Sequence, residues 1–380
     1  MGPEVGGAGV GDNLRGMTAT RGSSGGPKLA VAFDMTFPDR NQGGSGIYAR
    51  SLVAALRERG DVEVKEVRST RPGLLWTVGW LARGAQRELQ GDSVQLLHSP
   101  NFVMPWRVSV PFVVTVFDLS TRQFPRDHPL EWRAYERWFL PSRAKAAARV
   151  IAISEVTRQD AIREYGVPPD RVTTIHLGVD RRFFKEGAPR VATAVTEQRM
   201  LFPGAPVARK NLDLVLYAMA KAAPDSALGR ACLQISGAAA GRFPDRVAQI
   251  RELGLADRVQ WLGQIPVEEM PAIYGAADVC IYPSLYEGFG FPPLEAMAAG
   301  TPVVASNASC LPEILGDAAL LIDASDVRGF TAAVESVLSD AAVRARLIEA
   351  GRKHVADFTW ERCAAQTVAV YREVLGQAAA

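Results

Sequence analysis

The stretch DVCIYPSLYEGFGFPPLEAMAAGTPVVAS, from Asp278 to Ser306, sets the pattern for the rest of the chain. DVCIYPS reads as a strand apolar enough to be covered on both faces. PLEAMAAG reads as a short helix entered through Pro292 or Pro293 and ended by Gly300, and TPVVAS as the next strand. Proline is tolerated in a first helical turn, where its missing N–H would be unpaired, and glycine ends helices by entering left-handed backbone without strain. Strand, helix, strand in so few residues is the unit of a parallel sheet layered with helices. Two glutamates, Glu287 and Glu295, stand eight positions apart in this stretch. Glu295 falls in the first turn, where its charge suits the helix macrodipole and its oxygens can accept from local N–H groups or from ligand hydroxyls. Glu287 lies in a loop whose Gly288 and Gly290 permit close backbone approach. It is either a solvated loop charge or a ligand contact.

The same alternation runs outward in both directions. A series from Met200 reads as strands RMLFPG, ACLQISG and RVQWLG separated by helices NLDLVLYAMAKAA, DRVAQIRELG and VEEMPAIYGAA. An earlier series starts with strand KLAVAFD, helix GIYARSLVAALRERG and strand DVEVKEV, and continues through VQLLHSP, PFVVTVFD and ARVIAISE. Between the two, from Asp180 to Gln198, Gly, Pro and charge replace the rhythm, which marks a linker. The fold class expected is α/β, with two doubly wound domains facing a cleft. At 380 residues there is length for two cores, since single cores stop growing at about 250 to 300 residues. Residues 1–27 are Gly-rich and read as a disordered tail, or as sequence ahead of a start at Met17.

Composition narrows the function classes. With 48% apolar and 22% charged residues the chain is globular, and a net charge of +2 gives no reason to invoke nucleic acid. Four cysteines and four histidines are scattered without ligand spacing, so no metal is expected and a reducing, cytoplasmic setting fits. No apolar run approaches the ~20 residues needed to span a bilayer. There is no P-loop, no G-x-S-x-G elbow, and no D-x-D pair after a strand to hold a diphosphate through a divalent cation. If phosphate is bound, protein groups must neutralise it.

Three places have that chemistry. Gly43, Gly44 and Gly46 follow the first strand, where a helix N-terminus offers N–H groups, although such turns are also merely tight. Arg209 and Lys210 precede a helix capped by Asn211; cations oppose the dipole there, so either an anion sits nearby or they are solvated charges. The third place is the loop and helix carrying Glu287 and Glu295.

Taken together, EGFGFPPLE resembles the E-x7-E signature of family 4 retaining, nucleotide-sugar-dependent glycosyltransferases of the GT-B fold. The surrounding RVQWLG to ALLID segment, RVIAISEVTRQDAIREYGVPPDRVTTIHLGVD, GGSGIYARSL and the terminal FTWERCAAQTVAVYREVL are similar to that family as well. The resemblance implies two Rossmann-like domains: an acceptor domain over 28–190, a nucleotide-sugar domain over 191–358, and a last helix in 359–380 that crosses back to the first. It implies that Glu295 holds the donor ribose and Glu287 a sugar hydroxyl. Phe289 and Gly290 would offer backbone N–H groups, with Gly288 and Leu294 beside them. Lys210 and Arg209 would neutralise the diphosphate, and Gly43 and Gly44 would lie next to it. No cofactor is implied; the donor is a substrate, GDP-mannose or a UDP-hexose.

Two positions depart from the family pattern. Ala205 stands where many relatives have an arginine, and Phe117 stands where a histidine usually precedes Asp118. Phe117 leaves its carbonyl to the donor, Asp118 takes part of the polar role, and His98, near a strand end, is either a second candidate or a structural histidine. The implied activity is transfer of a hexosyl group, mannosyl first, to a glycan, glycolipid or polysaccharide precursor, by a front-face path. Phe117 keeps open a non-catalytic sugar-nucleotide-binding subunit. The segments GLLWTVGWLARGAQREL and RDHPLEWRAYERWFLPSRAKAAAR mix aromatic and basic residues, as do peripheral contacts on the inner face of a cytoplasmic membrane and, equally, helix core faces.

Overall fold

The computed structural model describes residues 28–41, 43–69, 80–90, 93–100, 105–184 and 198–377, with the side chains of Arg40, Leu81 and Ala82 excepted. The tail expected at 1–27, most of the linker, the 190/191 boundary, and residues 73–79 of the first aromatic and basic segment lie outside these.

Runs of three to six residues form the strands, and the central ones are apolar and buried on both faces. In the first half β1 (Leu29–Asp34), β2 (Val62–Val67), β3 (Leu96–Ser99), β4 (Phe112–Val116), β5 (Arg149–Ala152) and β6 (Val172–Thr174) make one sheet in the order 2-1-3-4-5-6. In the second, β7 (Arg199–Phe202), β8 (Cys232–Ser236), β9 (Val259–Gly263), β10 (Val279–Tyr282), β11 (Val303–Ser306) and β12 (Leu320–Ile322) run 12-11-10-7-8-9. Every paired neighbour is parallel. The order reverses between β1 and β3 in one sheet and between β7 and β10 in the other. Ligands of open parallel sheets sit at the carboxyl ends of such strands.

Six helices carry or flank the residues of the cleft, the domain seam and the aromatic surface. They are α1 (Gly44–Arg59), α2 (Leu130–Trp138), α3 (Glu155–Tyr165), α4 (Leu212–Lys221), α5 (Phe291–Ala298) and α6 (Trp360–Val374). α1 begins two residues before the apolar periodicity and ends at Gly60, whose φ of 77° is the left-handed C-cap. It can start at Gly44 because the glycines let the chain fold tightly: a Cβ on Gly46 would lie 1.7 Å from the Asn41 carbonyl oxygen. α5 carries prolines in its first turn, behind Gly290 at φ 97°.

α6 returns to the first half and packs along α1. Its Tyr371 is fully buried, and its hydroxyl meets His98 Nδ1 at 2.5 Å. His98 Nε2 meets Thr115 Oγ1 at 2.8 Å, and the Tyr48 hydroxyl of α1 meets that same Oγ1 at 2.8 Å. Burial pushes the His98 imidazole down to about 3, so it is neutral at neutral pH. His98 is therefore a buried tie between β3, β4, α1 and α6 and does not face the cleft. One apolar cluster continues from Val31, Leu52 and Tyr48 through Cys363 and Tyr371 to Met297 and Tyr282 of the second half. Cys232, Cys280, Cys310 and Cys363 are not joined in disulfides. Among the described residues no helix is long and apolar enough to cross a membrane. Tyr371→Phe removes one hydroxyl and strands a buried ring nitrogen, which costs about 1–3 kcal/mol. Denaturant titration should show that loss with the slope unchanged, and unaltered stability would show that the tie is not structural.

Candidate active site

β7 and β10 diverge at the reversal of the second sheet, and their carboxyl ends lead into the two segments that the sequence singled out. After β7 the chain turns through Gly204 and a short 3-10 turn, Ala208–Lys210, that ends at Asn211 in left-handed backbone (φ 56°). Asn211 caps no helix N–H here. Its side chain instead donates to the carbonyls of Pro283 (3.2 Å) and Ala324 (2.8 Å), which ties the turn to the end of β10. After β10 the loop brings Glu287 against that turn. One oxygen, Glu287 Oε1, lies 2.7 Å from Lys210 Nζ and 2.9 Å from Arg209 Nη1.

The cluster is buried, with Glu287 7% and Lys210 8% exposed. Burial pushes the Glu287 carboxyl up, but Lys210 and Arg209 outweigh it and hold the carboxyl below its ordinary value. Burial lowers the Lys210 amine and wins over the attraction of Glu287, with Arg209 adding to the drop. Burial also works against the Arg209 charge, yet Glu287 and then Asp118 draw it upward overall. Lys210 Nζ further reaches the Tyr282 hydroxyl at 2.5 Å and sits 4.2 Å from the centre of that ring. Ser309, at φ 56°, fixes the Glu287 backbone by accepting its N–H (3.3 Å) and donating to its carbonyl (2.7 Å).

The other half closes over this cluster. A Cβ on Gly288 would lie 1.9 Å from the Phe117 carbonyl oxygen and 3.0 Å from the Asp118 Cβ, so only glycine fits there. Tyr286 donates its hydroxyl to Asp160 Oδ2 (2.7 Å) and accepts the Leu119 N–H (3.0 Å). Glu313 accepts the Glu155 N–H with both oxygens at 2.9 Å, at the N-terminus of α3, and lies 2.7 Å from His176 Nε2. Asp118 accepts from the Ser120 N–H and hydroxyl (3.0 and 2.7 Å) and faces Arg209 across the seam.

The other expected contacts are not part of this ion cluster. The Phe117 ring packs edge-on against Tyr48 (5.2 Å, 84°) in the core, and its carbonyl is not free as expected: the Thr157 hydroxyl donates to it at 3.1 Å. Phe289 is 3% and Leu294 0% exposed, so their side chains are core, and what Phe289 can offer a ligand is backbone. Gly43 gives its N–H to Asn41 Oδ1 (2.8 Å), and Gly44 lies under the Phe291 ring, where a Cβ would be 3.4 Å away. Glu295 is on the other side of α5, where it accepts the Tyr274 hydroxyl at 2.9 Å. It lines a cavity of about 420 Å³ with Arg50, Asp180 and Arg182. Tyr282, Tyr286 and Ser309 were not foreseen. Tyr286 adjoins Glu287 in sequence, but nothing in a lone loop tyrosine says that it will latch onto another domain. Among the described residues no group of His, Cys, Asp and Glu is arranged to hold a metal.

Comparison with known proteins accords with this geometry. The family described as Glycosyltransferase Family 4 matches residues 61–183, and Glycosyl transferases group 1 matches residues 185–354. O-antigen chain mannosyltransferase B of Escherichia coli is 32% identical over 284 residues, which cover 73% of this chain and 74% of that protein. The chain belongs to the family 4 glycosyltransferases. MMP alpha-(1->4)-mannosyltransferase of Mycolicibacterium hassiacum is 31% identical over 291 residues, covering 72% of this chain and 68% of that one. Sucrose-phosphate synthase from Thermosynechococcus elongatus superposes with a TM-score of 0.76 at 23% identity, covering 92% of this chain and all of that structure. The fold is GT-B, and the chain is a sugar-transferring enzyme; a non-catalytic binding subunit is not favoured.

Burial raises the Glu295 carboxyl to about 7, with Asp180 adding to the rise while the Tyr274 hydroxyl and Arg182 oppose it. Between the ordinary carboxyl value and about 7 the native state then holds more protons here than the unfolded chain. Stability of the ligand-free protein therefore falls as pH rises through that window. Glu295→Gln should flatten the slope of unfolding free energy between pH 5 and pH 8; equal slopes in the two proteins would refute the raised carboxyl.

Proposed function

We propose that this glycosyltransferase moves a mannosyl group, with retention, from GDP-mannose or a related nucleotide diphosphate hexose to a glycan or lipid-linked acceptor. The observation that carries the reading is the shared Glu287 oxygen between Lys210 and Arg209 at the carboxyl end of β7 and β10. As the glycosidic bond breaks, negative charge grows on the departing β-phosphate. Fixed cations in a site shielded from water stabilise that charge without reorganising. Glu287, held below its ordinary carboxyl value, is ionised and cannot serve as the general acid. It can accept a hydroxyl of the donor sugar, while Glu295 beyond α5 accepts from the ribose hydroxyls. The Phe289 and Gly290 N–H groups, at the turn into α5, then fall to the sugar and diphosphate, with Gly43 and Gly44 opposite. No carboxylate has been identified as a nucleophile, so a front-face path, in which the leaving phosphate helps to deprotonate the acceptor, fits this residue set.

Mannosyl as the group transferred is supported by the names of the two relatives at 31% and 32% identity. The seam formed by Tyr286, Asp160 and Glu313 supports a closed state that keeps water from the donor. On the acceptor side, Leu130 and Trp138 are 72% and 73% exposed, and the Trp106 and Phe139 rings stack at 5.7 Å. Arginines stand among them, which supports a peripheral contact with an anionic membrane surface.

Lys210→Ala and Glu287→Gln should each lower turnover by about two orders of magnitude or more while melting stays cooperative. Gln is chosen because it keeps the side-chain volume and one acceptor oxygen for the two buried cations, which a truncation to Ala would remove. Near-wild-type turnover in either variant contradicts the assignment. In a thermal-shift panel of nucleotide sugars GDP-mannose should stabilise most; a larger shift with UDP-glucose reassigns the donor. Retention on anionic vesicles at low salt supports the membrane contact, and none removes it.

A further inference from the structure

His128 stands at the domain seam beside Arg209 and takes no part in holding the donor. It follows the 3-10 turn Pro125–Asp127, where Asp127 Oδ2 accepts the Arg209 N–H at 3.3 Å and the Pro125 carbonyl accepts the His128 N–H at 3.3 Å. The other three histidines are committed elsewhere. His98 is a tie in the core, His176 lies against Glu313, and His354 lies against the Ile314 carbonyl.

A short chain of hydrogen bonds determines which nitrogen of His128 carries a proton. Ser120, 3% exposed, has one hydroxyl proton, and Asp118 Oδ1 takes it at 2.7 Å. The Ser120 oxygen is then left to accept from His128 Nε2, 3.0 Å away. Nε2 is therefore the N–H of the neutral ring, and Nδ1 keeps a bare lone pair. Nδ1 has no hydrogen-bond partner among the described residues. An imidazole whose tautomer is fixed by a chain ending on a carboxylate, with its other nitrogen free, is the arrangement of a general base. Burial pushes the His128 imidazole below its ordinary value; Asp118 pulls it up, Arg209 adds to the fall and Asp127 opposes it, with the fall prevailing. The ring is thus neutral at neutral pH and able to take a proton.

A front-face path needs a proton acceptor in this place. The acceptor oxygen arrives on the side from which the phosphate departs, next to Arg209 and Lys210, and loses its proton there. We propose that His128 is the base that receives it, sharing the deprotonation with the leaving phosphate. The acceptor O–H gives its proton to Nδ1 while the oxygen bonds to the anomeric carbon. The bond from that carbon to the phosphate oxygen breaks, and its electron pair leaves on the diphosphate. The proton ends on the imidazole, where Asp118 balances the new charge through Ser120. The proposal rests on the transferase reading above and adds its proton acceptor.

The test uses the full chain and H128Q, whose amide can still donate to Ser120 but takes up no proton. The donor is the nucleotide sugar that stabilises the wild type most, water is the acceptor, and release of the nucleoside diphosphate is followed from pH 5 to pH 8 at saturating donor. Wild-type turnover should rise as His128 loses its proton and then level off. H128Q should turn over about a hundredfold more slowly on the plateau and lack that rise. Glu295 also titrates in this range and is the same in both proteins, so the difference between the two profiles belongs to His128. The rise in melting temperature on adding donor should be unchanged in H128Q and lost in K210A, so a failed donor site is told apart from a failed base. Turnover of H128Q within threefold of wild type, or an acid limb equal in both, overturns the proposal. Loss of turnover together with the donor-induced rise overturns it too, because His128 would then serve donor binding.

Discussion

One buried oxygen, Glu287 Oε1, holds two cations at 2.7 and 2.9 Å inside the protein, and the rest of the site is arranged around that contact. Taking three charges out of water is expensive, and an apolar trio of the same volume would be no less stable. What the cluster provides is position. Lys210 and Arg209 are fixed at the ends of diverging strands, where, in the proposed function, the donor diphosphate would take over from the carboxylate as their partner. The neighbours serve that purpose: Tyr282 steadies the lysine from below, Ser309 pins the Glu287 backbone, and Asn211 binds the two loops together.

The same loop also joins the two domains. Tyr286, immediately before Glu287, bridges Asp160 and the Leu119 N–H, and Gly288, immediately after it, admits the Phe117 carbonyl so closely that no side chain fits. The ion cluster and the domain contact therefore share three consecutive residues. A shift of this loop would be felt at once across the seam. Glu313 adds a second tie by meeting the positive end of α3 and His176 together, a charge-assisted contact between domains. The α6 helix, anchored by Tyr371 on His98, keeps the two halves one body through the apolar cluster that runs beneath them.

Much of this was legible in the sequence because it is periodic. Apolar runs such as FVVTV and VCIY can only be strands covered on both faces, and the proline and glycine around PLEAMAAG bound a helix on general grounds. The sixth strand of each sheet was not read from its own residues, because VTT and LLI are three residues long and too short to establish a period. Glu287, Arg209 and Lys210 were found as charges in places where charge is otherwise awkward, at a helix start and beside glycines. Their meeting was invisible locally: it is set by the reversal of strand order between β7 and β10, across 77 positions in the case of Lys210 and Glu287. Phe117 misled for a related reason. The strand pattern gave its place at a sheet end but not that its ring turns inward to Tyr48 and its carbonyl goes to Thr157.

The most direct test of the account is a crystal structure of the chain with an intact nucleotide diphosphate hexose. Diphosphate oxygens should lie within hydrogen-bond distance of Lys210 Nζ and the Arg209 guanidinium, with a sugar hydroxyl on Glu287 and ribose hydroxyls on Glu295. A donor bound elsewhere, with Lys210 and Arg209 still paired only to Glu287, would contradict it.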